Sequence, residues 1–198
     1  MKRAEAIQAF TELRRDALVI VGPGASSGAL YSTRHEPATI YNMELGYPTA
    51  ICLGLALAAP EQRVVALEGD GSMVAGIGVF ATIARYRPVN LLVLVLDNGR
   101  YATTGDGTVE TATGAGMDLA DVAVACGLHP DNVVRVRDPA ALREALRAGL
   151  ERPGPWVVVA RIEPPSDEDR RMPRPIPQHD LVETVVAFRW EMKRRGYR

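Results

Sequence analysis

Cysteine is scarce in this 198-residue chain: Cys52 and Cys126 stand alone, with no CxxC pair. Their isolation excludes a disulfide framework and a cysteine-ligated iron–sulfur cluster, and predicts two reduced, buried core thiols, in keeping with a cytoplasmic protein. Surplus charge is missing too. With 23 Lys and Arg against 24 Asp and Glu, the formal net charge of −1 favours neither nucleic acid nor an anionic membrane as partner. Long hydrophobic runs are absent. The longest, near residues 51–60, is too short to span a bilayer, and Met1-Lys2-Arg3 leads into Ala4-Glu5 without the apolar core of a signal peptide. Histidines number three, and His35, His129 and His179 fall in a linker, a turn and beside a proline-rich stretch, so structural or solvated roles are expected. There is no internal repeat.

What is present is ordinary for a globular domain: 47% apolar and 24% charged residues. Periodicity predicts helices over 3–15, 26–31, 47–59, 72–86, 118–126, 138–151 and 181–193, and strands over 17–21, 38–41, 63–68, 90–96, 132–136 and 156–162. The helix over 47–59 has no polar face, which predicts burial on most sides. Strands alternating with helices predict an α/β fold: a single doubly wound domain with a mainly parallel central sheet and helices on both faces. The expected divisions are a domain over 1–163, a connector over 164–180 holding five prolines, and a C-terminal helix over 181–198 that packs on the domain or on a partner. The polar 99–116 stretch is long enough for a functional loop or lid.

Gly69-Asp70-Gly71-Ser72 closes one apolar run and Asp97-Asn98-Gly99-Arg100 closes the next. Asp70 and Asn98, 28 positions apart, therefore lie at matching ends of two predicted strands. In a parallel sheet those ends share the ligand-binding edge. One carboxylate and one carboxamide suit Mg²⁺ or Ca²⁺, which keeps water and phosphate oxygens for its other positions. The glycines permit close approach to a phosphate, and a helix start offers free N–H groups. Context carries the signal, because Gly105-Asp106-Gly107 spells the same tripeptide without a strand before it and is read as a loop turn. Gly22-Pro23-Gly24 with Gly28 imitates a dinucleotide fingerprint, but Pro23 stiffens the turn and the third glycine is one position late. Gly24, Ala25 and Ser26 are better read as donors to a phosphate from the neighbouring strand end.

With those residues placed, the chain resembles the thiamine-diphosphate enzymes in their diphosphate-binding domain, and in particular the β subunit of sulfopyruvate decarboxylase and the phosphonopyruvate decarboxylases. The likeness covers almost the whole chain and rests on GDGS with its following Asn-Gly, Leu45-Gly46 leading into Gly54-Leu55-Ala56-Leu57-Ala58, Tyr101, and Thr104-Gly105. It implies Mg²⁺ and thiamine diphosphate as cofactors. Asp70 and Asn98 would be side-chain metal ligands, with the carbonyl of Arg100 a third. Gly69, Gly71, Ser72 and Tyr101 would contact the cofactor, and Leu45 would support its bent conformation. Met43 stands where the family has a glycine whose carbonyl meets the aminopyrimidine, and Met43-Glu44 replace the usual Gly-Ser or Gly-Ala; Glu44 is expected to face solvent.

The resemblance further implies decarboxylation of a small 2-oxo acid to CO₂ and an aldehyde. Cofactor activation in this family needs a glutamate from a separate pyrimidine-binding domain, for which the chain has no room. A partner α subunit supplying that glutamate is therefore expected, with further subunit copies. Arg34, Arg100 or partner residues would select an anionic substrate. Other readings are a carboligating, acetolactate-synthase-like subunit, an oxidative relative, or a non-catalytic cofactor-binding or regulatory subunit.

Overall fold

Strand segments that are apolar at nearly every position can be satisfied only if both faces of the sheet are covered. The computed structural model, which describes residues 1–101, 109–166 and 176–197, is built that way. Its strands are β1 (Leu18–Val21), β2 (Thr39–Ile40), β3 (Val64–Gly69), β4 (Leu91–Asp97), β5 (Val133–Val136) and β6 (Trp156–Arg161). They form one sheet in the order β2-β1-β3-β4-β6-β5, every pair parallel. Side chains alternate across it. Leu18, Ile20, Val64, Ala66, Leu91, Val93 and Val95 enter one core, while Val19, Val21, Val65, Leu67, Leu92, Leu94 and Leu96 enter the other.

Helices α1 (Arg3–Leu13), α2 (Ala25–Thr33) and α7 (Pro139–Glu151) cover the second core. The first is covered by α3 (Pro48–Ala58), α4 (Asp70–Ala75), α5 (Val79–Tyr86), α6 (Leu119–Ala125) and the C-terminal α8 (Leu181–Arg194). A short 3₁₀ turn, Pro130–Asn132, precedes β5. The doubly wound α/β class expected from the sequence is the observed one. Among the described residues no helix is long and apolar enough to cross a membrane.

Three expectations change. The single helix over 72–86 is two helices, broken at Gly76-Ile77-Gly78, and the first begins at Asp70 rather than Ser72. The break has a steric cause: a Cβ on Gly76 would lie 2.4 Å from the Gly46 carbonyl oxygen, so a loop crosses where the helix would continue. Helix α3 is not buried on most sides; it buries Cys52, Leu53 and Ala56 but exposes Ile51 and Leu57, next to exposed Leu45 and Tyr47. Of the two cysteines, Cys52 is buried in the core and Cys126 only half-buried. The Gly105-Asp106-Gly107 turn and the prolines at 173 and 175 lie outside the described residues.

Candidate functional site

Helix α2 leaves β1 toward one face of the sheet and α4 leaves its neighbour β3 toward the other. The divergence opens a cleft at the C-terminal edge, the usual ligand position in such sheets. Gly24, Ala25 and Ser26 wall it from the β1–α2 turn, with Leu45 at its mouth. Gly69, Asp70, Gly71 and Ser72 form the floor, and Asn98, Arg100 and Tyr101 close it after β4. Met43 is not among the residues lining the cleft; its side chain packs against the first core, and its N–H donates to the Val21 carbonyl at 2.9 Å. Glu44 is exposed, and Arg34 pairs with Glu36 at 2.7 Å away from the cleft.

Helix α4 follows β3 with no residue between them, so Asp70 takes its place directly from the sheet register. Its Oδ1 accepts the Asn98 N–H at 3.3 Å. Its Oδ2 accepts the Thr111 hydroxyl at 2.5 Å and lies 3.0 Å from the Thr113 hydroxyl. Thr113 Oγ1 is also 2.8 Å from Asp97 Oδ1, which the Arg161 guanidinium meets at 3.0 Å. Burial raises the Asp70 carboxyl above the usual carboxylate range and Asp97 adds to the rise, while the Thr111 and Thr113 hydroxyls and the Asn98 N–H oppose it. A nearby divalent cation would relieve that cost. Asn98 is itself buried, with Oδ1 accepting the Arg100 N–H at 2.9 Å. No cluster of three His, Cys, Asp or Glu side chains suited to a metal occurs among the described residues. One carboxylate beside one carboxamide fits an ion whose other positions go to phosphate and water.

Glycine at two positions is dictated by contact. A Cβ on Gly71 would stand 2.5 Å from the Tyr101 ring, so the ring packs directly against the floor of the cleft. Gly46, with φ +82°, packs against Gly76. The Gly46 N–H donates to Ser72 Oγ at 3.1 Å, which leaves the Ser72 hydroxyl holding the Leu45 loop and the free N–H groups of the first turn of α4 for an anion. Behind them Glu68 accepts the Thr49 N–H at 3.1 Å and the Thr49 hydroxyl at 2.9 Å; burial raises its carboxyl.

Sequence reasoning missed Thr111, Thr113, Glu68 and Arg3. The threonines are brought back by a chain reversal in which Arg100 and Glu110 form an antiparallel bridge. Arg3 lines the cleft from α1. The three histidines stay outside it: His35 and His179 stack near Tyr31, and His129 caps the 3₁₀ turn.

The family described as "Thiamine pyrophosphate enzyme, C-terminal TPP binding domain" matches residues 23–160. Sulfopyruvate decarboxylase subunit beta of Methanothermobacter thermautotrophicus is 40% identical over 147 residues, covering 74% of this chain and 76% of that one. Phosphonopyruvate decarboxylase of Streptomyces viridochromogenes is 35% identical over 169 residues, covering 85% of this chain but 41% of the relative. Among solved structures, the thiamine diphosphate-dependent 4-hydroxybenzoylformate decarboxylase of Rhodococcus jostii RHA1 superposes with a TM-score of 0.64 at 20% identity, covering 85% of this chain and 33% of that one. The last likeness concerns the fold alone.

Proposed function

Because the chain belongs to the thiamine pyrophosphate enzymes, as a carrier of their C-terminal TPP-binding domain, we propose that it is the Mg²⁺- and diphosphate-binding subunit of a heteromeric 2-oxo acid decarboxylase acting on sulfopyruvate- or phosphonopyruvate-like substrates. The observation that carries the reading is the Asp70–Asn98 pair on the floor of the switch-point cleft, facing the Gly24–Ser26 turn. In this reading the side chains of Asp70 and Asn98 and the carbonyl of Arg100 hold Mg²⁺. The N–H groups of Gly71, Ser72 and the Gly24–Ser26 turn receive the diphosphate. Leu45, 41% exposed at the mouth, offers the apolar prop for the cofactor's rings. Bound thiamine diphosphate supplies the electron sink that lets the substrate carboxylate leave as CO₂.

Among the described residues lining the cleft there is no glutamate; Glu68 lies behind it and Glu44 outside. That favours a pyrimidine-binding partner as the source of the activating glutamate. The relative lengths point the same way. The chain spans most of a protein named as a subunit but 41% of a relative named as a whole decarboxylase. Residues 1–163 would form the cofactor domain, with 181–198 returning as a helix across a connector. Co-expression with the partner, followed by titration with thiamine diphosphate and Mg²⁺, tests the reading. Wild-type complex is expected to bind the cofactor only with Mg²⁺, and Asp70→Ala to abolish that binding. Unchanged binding by Asp70→Ala overturns the assignment.

A further inference from the structure

Resting on that reading of the cleft, we propose that Asp97 is a positioning residue that fixes the turn carrying Asn98 and the Arg100 carbonyl, and so fits the metal site to an ion of Mg²⁺ rather than Ca²⁺ size. Asp97 ends β4 and stands in register with Arg161, which ends β6. The alternation that sends Val93, Val95, Val157 and Val159 into the first core puts residues 97 and 161 on that same face of the sheet. Their side chains meet there, with Arg161 Nη1 donating to Asp97 Oδ1 at 3.0 Å. The Asp97 side chain is 10% exposed, that of Arg161 47%. A carboxylate so buried needs further donors, and the same oxygen has two more.

Both of those donors belong to the metal site. The Gly99 N–H donates to Asp97 Oδ1 at 3.0 Å across Asn98, closing an Asx turn about that residue. Asn98 Oδ1 closes the next one on the Arg100 N–H at 2.9 Å, so the backbone from 97 to 100 is held at each step. The Thr113 hydroxyl, 2.8 Å from Asp97 Oδ1 and 3.0 Å from Asp70 Oδ2, ties this turn to the carboxylate on the neighbouring strand end. The outside of the turn is closed as well. A Cβ on Gly99, whose φ is +70°, would stand 3.1 Å from Arg161 Nη2 and 3.1 Å from Gly114 Cα. The Ile162 N–H donates to the Asp97 carbonyl at 2.8 Å. Arg161 also offsets the charge that Asp97 adds beside Asp70, so two carboxylates can stand about one hydroxyl. Mg²⁺ demands near-ideal octahedral geometry at about 2.0–2.1 Å, whereas Ca²⁺ accepts irregular shells at about 2.3–2.6 Å. Rigid ligand spacing separates the two ions, and the turn at 97–100 sets the spacing of Asn98 and the Arg100 carbonyl from Asp70.

Calorimetric titrations with Mg²⁺ and with Ca²⁺, on the full chain with its partner at fixed thiamine diphosphate, test the assignment. Asp97→Ala is expected to weaken Mg²⁺ binding roughly tenfold to a hundredfold, the range for a lost outer-shell partner. Ca²⁺ binding should weaken less, so the preference for Mg²⁺ falls. Arg161→Gln should shift the preference the same way, and Arg161→Lys should restore part of it. Wild-type Mg²⁺ affinity in Asp97→Ala overturns the proposal. So does an equal loss for both ions, which makes Asp97 a source of charge alone. A lower melting temperature with the ion preference intact makes it structural alone, and overturns the proposal too. If Asp97→Ala does not fold, an unchanged preference in Arg161→Gln is enough to overturn it. If the wild-type complex binds thiamine diphosphate equally well without a divalent ion, the metal reading of Asp70 and Asn98 falls first, and this proposal with it.

Discussion

Asp70 is a buried carboxylate whose two oxygens are already engaged, by Asn98 N–H on one side and by two threonine hydroxyls on the other. Those hydroxyls orient the carboxylate and favour its ionised form, as outer-shell partners of metal ligands do. Thr111→Val removes the closer of the two. It is expected to weaken Mg²⁺ binding roughly tenfold in a metal titration of the cofactor complex. The lost donor also raises the Asp70 carboxyl further, so Mg²⁺ affinity should begin to fall at a higher pH as the solution is acidified. Asp70 and Asn98 were readable because a strand end and a helix start are local in sequence. Thr111 and Thr113 were not. They reach Asp70 only through the reversal that pairs Arg100 with Glu110, and no spacing rule marks such a reversal. Arg3 had one local sign, a basic pair at a helix start, which reads equally well as solvated surface.

The strands were readable for a similar reason: apolar residues at consecutive positions identify a sheet covered on both faces, and their ends were placed within about two residues. The breaks were less visible. Nothing near Gly76 announces that Gly46, thirty positions earlier by chain order, crosses its backbone. The C-terminal helix was readable from its spacing, but its attachment was not. Glu191 joins Arg194 and Arg195 at 2.7 Å, and Arg195 reaches the Asp16 carbonyl at 2.8 Å and Gln62 Oε1 at 2.6 Å, pinning α8 beside the start of β1. The two arginines hold the Glu191 carboxyl down to about 2, from an ordinary value of 4.5. A depressed carboxylate contributes its stability above the ordinary value and loses it as pH falls through the depressed one. Glu191→Gln should therefore lower the melting temperature by a few degrees at pH 7, for a cost of at most about 1 kcal/mol after solvent screening. The difference from wild type should shrink between pH 4.5 and about 2 and vanish below.

The two outer surfaces of the molecule differ in kind. Outside α1 and α7 lie Lys2, Glu5, Gln8, Glu12 and Arg143, with Arg143 and Glu12 paired across the helices. The opposite surface shows Tyr47, Ile51 and Leu57 on α3 and its N-terminal turn, and Val182, Val186 and Trp190 on α8. Helix α3 carries no charge from Pro48 to Ala58. Hydropathy alone cannot separate a core helix from an apolar helix left on the surface, so the sequence suggested burial on most sides. An uncharged helix with exposed apolar side chains is a candidate association face. Ile51→Asp is expected to leave the isolated chain folded but to reduce the mass of the co-expressed assembly in analytical ultracentrifugation. Retention of the wild-type mass would place the contact elsewhere.

That uncharged helix also bears on how the chain has to be made. On the heteromeric reading proposed above, a copy without its partner would present an adhesive surface to every other unaccompanied copy, and the hazard would rise with the excess. On that reading, synthesis of the two components in matched amounts, close together in time, would be the condition under which this surface stays hidden. Production of this chain by itself should yield precipitate in proportion to the imbalance.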